Sequence, residues 1–520
     1  MEPEPQLPTD PQVLRQLVLE LLSTLQEKNR RIGQLSSQLE ALKRQLFGKR
    51  SEKLDSDQLL LELGAWLTSQ AEASSEVQAP APVVSEEADS APRKKGHGRN
   101  PLPKRLPRQR TEYHPAPEDC VCPECQGTLR RIGEEVSEQL EYVPASLFVH
   151  EHARIKYACP HCQGNVVIGS LPLQPIAKGL PGPGLLAHVL TSKYADHLPL
   201  HRQEGILQRH GVELSRQTLC DWVKAGAAQL KPLVEVMKDE VLGSRKIHTD
   251  DTIVPVRDKD RDSMRQGRLW IYIGDAEHEH LVFDYTPDRK RDGPQRFLAG
   301  YKGYLQADAY GGYHGVYAPQ GKEREPGAIE VACWAHARRK FFDAMSSDGR
   351  RAPIALAYIR ELYAIEKRAR DLDAETRHAL RGQQAPRILE AFRTWLDEEA
   401  PKVLPKSPLS EAITYARGQW DALTRYLEDG ILEIDNNRAE RALRRVAIGR
   451  KNWMFAGSDE GGHRAAIVYS VIASCAVLKI DPYAYLRDVL QRLPSCPPAD
   501  LRNLTPKAWK AAALLAAKVN

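Results

Sequence analysis

Acidic residues stand inside segments that otherwise read as buried β-strands, and this constrains the chain more than any other feature. The run "KIHTDDTIVPV" (246–256) carries Asp250 and Asp251 at its centre, and "GYLQADAYGGY" (303–313) carries Asp308. A buried carboxylate is costly unless a cation or a metal partners it, so a core made from these strands must supply positive charge. Strand-like runs at 268–275 and 280–287, and "AIEVACWAHARRKFF" (328–342), a strand passing into a helix, complete a mixed α/β pattern. Neighbouring strand residues point to opposite faces, so only one of Asp250 and Asp251 can serve a shared site. Periodicity alone does not choose between them. Glycines follow Asp308 in "ADAYGG", where a substrate backbone can approach.

A third acid sits in "ILEIDNNRAERALRRVAIGRKNW" (431–453), where five arginines between 438 and 450 surround Glu440. Helical spacing groups Asn436, Asn437, Glu440 and Arg444 on one face and Ala439, Leu443 and Val446 on another. The segment is either an ion-paired surface helix or a metal-binding Glu440 among phosphate-binding Arg438, Arg441, Arg444 and Arg445. Three acids brought together could hold two Mg²⁺ ions (or Mn²⁺), since hard divalent ions want oxygen ligands. One ion would activate water or a 3′-hydroxyl, and the other would stabilise the leaving oxygen at phosphorus.

At 520 residues the chain is long enough for several cores. Leu14, Leu17, Leu21, Leu25, Lys28, Ile32, Leu35, Leu39, Leu42 and Leu46 form a heptad seam with one stutter, so residues 10–55 read as a coiled coil that pairs two copies. A helix packed within its own chain is the competing reading. Residues 56–111 follow as a linker rich in Ala, Pro, Ser and charge. From Pro92 to Arg110 it holds eight Lys/Arg and no acid. Arg99, Lys104 and Arg105 could follow a phosphate backbone, with Arg99 entering a minor groove, or simply be solvated.

Cys122, Cys125, Cys159 and Cys162 form two CxxC knuckles, the arrangement of a closed structural Zn²⁺ site, within a small domain at 112–178. Cys120 and His161 are alternative members of the set. Residues 179–240 contain a helix-turn-helix pattern, with Gly211 ending one helix and Ser215 capping the next. Its second helix would turn Arg216, Gln217 and Thr218 toward DNA, unless the pair is an ordinary helical hairpin. The acidic, proline-rich start is unlike a secretory signal. The apolar run 465–478 is shorter than the roughly 20 residues of a membrane span and reads as a core helix. The paired cysteines suit a reducing compartment. A cytoplasmic, nucleoid-associated protein without membrane contact is expected.

These motifs occur in a fixed order: the zipper ending "LFGKRSEKL", "GHGRNPLPKRLPR", the cysteine box, "SKYADHLPLHRQEGILQRHGVELSRQTLCDWV", "HTDDT", "LQADAYGGY", "CWAHARRKF", "DNNRAERALRRVAIGRKNW" and "DPYAYLRDVLQRL". In that set the chain resembles the bacterial insertion-sequence-66 family of DDE transposases over nearly its whole length. The resemblance implies a ribonuclease-H-like core at 241–345 and 431–460, a helical insertion at 346–430 and a C-terminal helical region at 461–520. It implies a metal-binding catalytic triad of Asp250, Asp308 and Glu440, and so selects Asp250 over Asp251. Asp251-Thr252 departs from the more usual Glu-Thr. His336, Arg338 and Arg339 match family positions, where His336 and Arg339, with Asn436 and Asn437, would support the site; a purely structural His336 is the alternative. The implied activity is binding of element ends and metal-dependent strand cleavage and transfer, with accessory proteins of the same element as plausible partners. A DNA-binding regulator that has lost catalysis and a structure-specific nuclease are the rival readings.

Overall fold

The structure is a computed structural model. It describes residues 179–258, 263–319 and 327–519, together with shorter stretches within 12–35, 147–157, 167–168 and 173–177. The four knuckle cysteines, Arg99, Lys104 and Arg105 lie outside the described residues, as do several seam positions of the zipper. The described residues within 12–35 are helical, and the seam residues Leu25, Ile32 and Leu35 are exposed. Residues 75–153 form a separate unit, of which 147–153 are described and carry no helix or strand.

Three helices lead into the core: α1 (Pro183–Tyr194), α2 (Leu200–Arg209) and α3 (Arg216–Leu242). Gly211, at φ 79°, makes the left-handed turn after α2, and the Ser215 side chain accepts from Thr218 N–H at the start of α3. α2 and α3 are thus joined by a short turn at 210–215. α3 runs 27 residues and buries Leu219, Trp222 and Val223 along with a long stripe beyond them.

Five strands form one sheet: β1 (Lys246–Val256), β2 (Arg265–Ile273), β3 (Leu281–Thr286), β4 (Tyr304–Gln306) and β5 (Ile329–Val331), in the order β3-β2-β1-β4-β5. β2 is antiparallel to both β1 and β3, whereas β4 is parallel to β1 and β5 parallel to β4. α4 (Asp292–Phe297) lies between β3 and β4. β4 is much shorter than the strand-like run 303–313. It stops before Asp308, and the glycines that follow enter a 3₁₀ turn at Gly311–Tyr313.

After β5 the chain enters α5 (Trp334–Ala344) and then an insertion of α6 (Ala352–Ala369), α7 (Ala374–Glu399), α8 (Pro408–Gly418) and α9 (Trp420–Thr424). The insertion and α5 share a second apolar core, in which Trp334 and Phe341 of α5 are buried with Ile359, Phe392 and Leu423 of the insertion. The chain returns to the sheet as α10 (Asn437–Trp453), α11 (Asp459–Val477), α12 (Pro482–Arg492) and α13 (Pro506–Val519). Most of the run 465–478 is buried within α11, against β3, although Val477 at the helix end is exposed. β3 is an edge strand, and α11 closes it with two serines one turn apart: Ser470 Oγ accepts from Phe283 N–H at 2.8 Å and Ser474 Oγ from Leu281 N–H at 2.9 Å. Among the described residues no helix is long and apolar enough to cross a membrane.

Candidate active site

The β1–β4 pairing sets the first two acids side by side. Lys246 pairs with Tyr304 and His248 with Gln306, and the same offset carried two residues further brings Asp250 level with Asp308. The third acid arrives because α10 is clamped along β1 at both ends. At its start, Asn436 is fully buried: its amide donates to Thr249 O at 2.7 Å, its Oδ1 meets His248 Nδ1 at 3.0 Å, and its N–H donates to Cys333 Sγ. At its end, Arg450 donates to Thr252 Oγ1 and Ile253 O. Met454, at φ 62°, ends the helix, and Ala456 N–H then bonds Pro255 O. Glu440, in the first turn of α10, is thereby held close enough to Asp250 of β1 for its charge to act on that carboxyl.

The two neighbouring aspartates of β1 have opposite electrostatic fates. Asp251, with its side chain 2% exposed, meets Arg268 Nη1 at 2.8 Å and Arg289 Nη2 at 2.8 Å. Among the described residues, Asp250 accepts only from the Asp251 N–H, at 2.7 Å. Burial, opposed by that N–H and reinforced by the Asp308, Asp251 and Glu440 carboxylates, pushes the Asp250 carboxyl up to about 7. Burial also raises Asp308, against the pull of His336 and of Arg289, whose Nη2 is 3.6 Å away. His336 Nε2 stands 3.8 Å from Glu440 Oε1, and its Nδ1 is buried without a hydrogen-bond partner among the described residues. Among the described residues no three His, Cys, Asp or Glu side chains close into a ready ion-binding group.

A second polar cluster joins buried Lys246 and His248 to half-buried Glu433. Lys246 Nζ bonds Ile431 O and lies 3.4 Å from Glu433, and His248 Nε2 is 3.5 Å from the same carboxylate. Burial alone would raise the Glu433 carboxyl, but His248, Lys246 and Arg438 outweigh it and hold it far below the ordinary range.

Several expected placements change. Asn436 does not share the outward face with Glu440: the helix begins only at Asn437, so the helical period does not reach Asn436, which turns inward as a latch. Asn437 is bound to Asp435 through its side chain and its N–H. Arg438 lies toward the Glu433 cluster. Arg441 and Arg444 are exposed, and Arg445 lies near His197. On α3, Arg216 and Gln217 are exposed, with Gln217 bonded to Asp221; Thr218 is half-buried and engaged with Ser215. Arg339 is exposed and lines the same cavity as Glu440.

Arg268, Arg289, His248 and Glu433 went unread as site residues. Arg289 lies in "PDRKRDG", which looks like any solvated charged loop. In the structure its guanidinium stacks 4.0 Å from the Tyr310 ring, and the Tyr310 hydroxyl donates to its carbonyl. The alternation in "ILEID" was the available hint for Glu433, since an acid between apolar neighbours asks for a partner.

The family model described as "Transposase IS66 family" matches residues 178–464, which include all three acids. Further matches are "zinc-finger binding domain of transposase IS66" at 119–163, "Transposase C of IS166 homeodomain" at 34–111 and "IS66 C-terminal element" at 470–506. Together they support a transposase role, with zinc-finger and DNA-binding parts. The chain belongs to the IS66 transposase family. Among its relatives, the uncharacterized protein y4hP of Sinorhizobium fredii is 35% identical over 92% of this chain and 89% of its own length. The uncharacterized protein y4jD of the same organism is 33% identical over 95% of this chain and 98% of its own.

Proposed function

We propose that this chain binds the ends of its insertion sequence and cuts and joins DNA strands at divalent metal held by Asp250, Asp308 and Glu440 in a ribonuclease-H-like core. The observation that carries this reading is the contrast on β1: Asp251 is neutralised by two arginines, while Asp250 is left with carboxylate neighbours and is pushed up to about 7. Burying such a group without a cation costs stability, and a donor set made only of carboxylate oxygens fits Mg²⁺ or Mn²⁺. The strand order, with β2 antiparallel to β1 and β4 and β5 parallel to it, supports the ribonuclease-H-like assignment.

When bound, the divalent ions supply activation of the attacking hydroxyl and charge neutralisation at phosphorus. The chain's own groups position the rest. Arg289 ties Asp308 to Asp251, His336 stands against Glu440, and the Asn436 latch fixes where α10 begins. In cleavage, a water oxygen bonds to phosphorus while the strand's 3′-oxygen leaves and takes up a proton. In joining, that 3′-hydroxyl loses its proton as it bonds to the phosphorus of a second phosphodiester, whose bridging P–O bond breaks and whose leaving oxygen takes up a proton. Arg438, Arg441, Arg444 and Arg445 steady phosphates along α10.

End recognition falls to Zn²⁺ held by Cys122, Cys125, Cys159 and Cys162, to Arg99, Lys104 and Arg105, and to α3 through Arg216, Gln217 and Thr218. The exposed seam residues support pairing of two N-terminal helices, so that two ends meet. The test is movement of a marked element by wild type and by Glu440→Gln, with DNA binding measured in parallel. Loss of movement with binding retained is expected; a Gln variant that moves the element as well as wild type sinks the reading.

A further inference from the structure

A cavity of about 350 Å³ opens beside Glu440, between α5, the insertion helix α6 and the first turn of α10. That is the small end of the roughly 300–1,000 Å³ range of ligand sites. Its cationic lining comes from Arg338 and Arg339 of α5 and Arg360 of α6. The first turns of two helices also line it, with Ala335 and His336 from α5 and Asn437 and Glu440 from α10, so two positive dipole ends add to the guanidiniums.

The insertion builds this wall deliberately. Tyr363 Oη donates to Asp435 Oδ2 at 3.0 Å, and the same carboxylate holds the Asn437 side chain and N–H. One turn of α6 is thereby tied to the start of Glu440's helix. Arg360, three residues earlier on the same face, is half-buried, lines the cavity, and makes no hydrogen bond or ion pair among the described residues. A half-buried guanidinium aimed into a cavity is a site for an anion, and its planar fork suits phosphate.

We infer that this pocket binds a backbone phosphate of the DNA strand next to the one being cut, and that the helical insertion supplies the phosphate contact through Arg360. The inference rests on the functional reading above. It gives the insertion a second role besides the core it shares with α5: DNA seated in the pocket also bears on Asp435 and Asn437, and so on the position of Glu440.

The test uses the full chain and a duplex of arbitrary sequence with a single-stranded 3′ tail, followed by fluorescence anisotropy from 50 to 200 mM salt. One lost phosphate contact lowers the slope of log affinity against log salt by about 0.9, so the advantage of wild type over Arg360→Gln should shrink about 3.5-fold across that range. Arg360→Lys, which keeps the charge, should restore the slope. Arg387→Gln, on α7 and lining a different cavity, should leave it unchanged. An unaltered slope in Arg360→Gln, or an equal change in Arg387→Gln, overturns the inference alone. Wild type that binds no DNA overturns it together with the functional reading. A second measurement needs no variant: DNA should protect Arg360 from phenylglyoxal, mapped by mass spectrometry, and equal modification with and without DNA overturns the inference.

Discussion

Asp250→Asn should stabilise the metal-free protein while destroying its chemistry, and the size of the gain follows from the site. The Asp250 carboxyl is pushed from 3.8 up to about 7 by burial and by its carboxylate neighbours. Between those values the unfolded chain ionises this group while the folded chain keeps it protonated, so folding loses stability as pH rises through the window. Below 3.8 the group contributes nothing, and above 7 the cost is complete. Three pKa units correspond to about 4 kcal/mol at 1.36 per unit, and solvent reaching the partly open carboxylate reduces this to about 2–4 kcal/mol. Asparagine keeps the volume and the acceptor for the Asp251 N–H, so no packing loss offsets the gain. Urea unfolding in EDTA, followed through the buried Trp270 and Trp334, should give equal stabilities for the two proteins near pH 4 and an Asn advantage that grows to a plateau above pH 7. Saturating Mg²⁺ should then stabilise wild type, by about 2.7 kcal/mol at a hundredfold excess over its dissociation constant, and leave the variant unchanged. A stability difference that does not vary with pH, or an Asn variant weaker at pH 8, would refute the claim that Asp250 is a buried acid lacking a cation.

Three further outcomes test other parts of the molecule. Ser470→Ala leaves the Phe283 N–H of the edge strand unpaired under α11 and should cost about 1–3 kcal/mol in urea unfolding; a neutral result would mean that the helix does not close the edge. Arg381 is buried in the insertion, bonded by Glu366 at 2.7 and 2.8 Å and donating to Tyr426 O and Leu432 O. Glu366→Ala strands that charge and should cost about 3–5 kcal/mol, read from the melting of the full chain. Replacing Cys122 and Cys125 by Ser should release zinc, measured by elemental analysis, while Asp250→Asn retains it; unchanged zinc content refutes the knuckle assignment.

Strands long enough to show their period were legible in the sequence. β1 runs over 246–256 as its sequence indicates, because the run is long and rich in β-branched residues, even though its burial does not alternate until its last residues. β4 was overread, since the small and aromatic residues after Gln306 imitate a strand while the glycines actually turn the chain. The α3 start was legible through Ser215 and Gly211, both local signals. Nothing local shows how far α3 continues, because that depends on the apolar surface waiting beneath it.

The site divides along the same line. Asp308, Glu440 and the pair Asp250 and Asp251 could be singled out because each breaks the pattern of its own segment, and a broken pattern is visible without the fold; the choice of Asp250 within its pair came from the family resemblance. The groups that make them a site break nothing locally. Arg289 looks like loop charge until it is seen to join Asp251 to Asp308. Asn436 looks like part of a polar helix face until the helix starts one residue later and its amide turns to Thr249 O. That latch explains why 132 positions can separate Asp308 from Glu440 without loosening the geometry. The insertion folds around the core it shares with α5, and α10 is registered to β1 by contacts at both ends, so the length between the acids costs the site little. What fixes Glu440 is the pairing of Asn436 and Arg450 with a single strand, and that strand also carries Asp250.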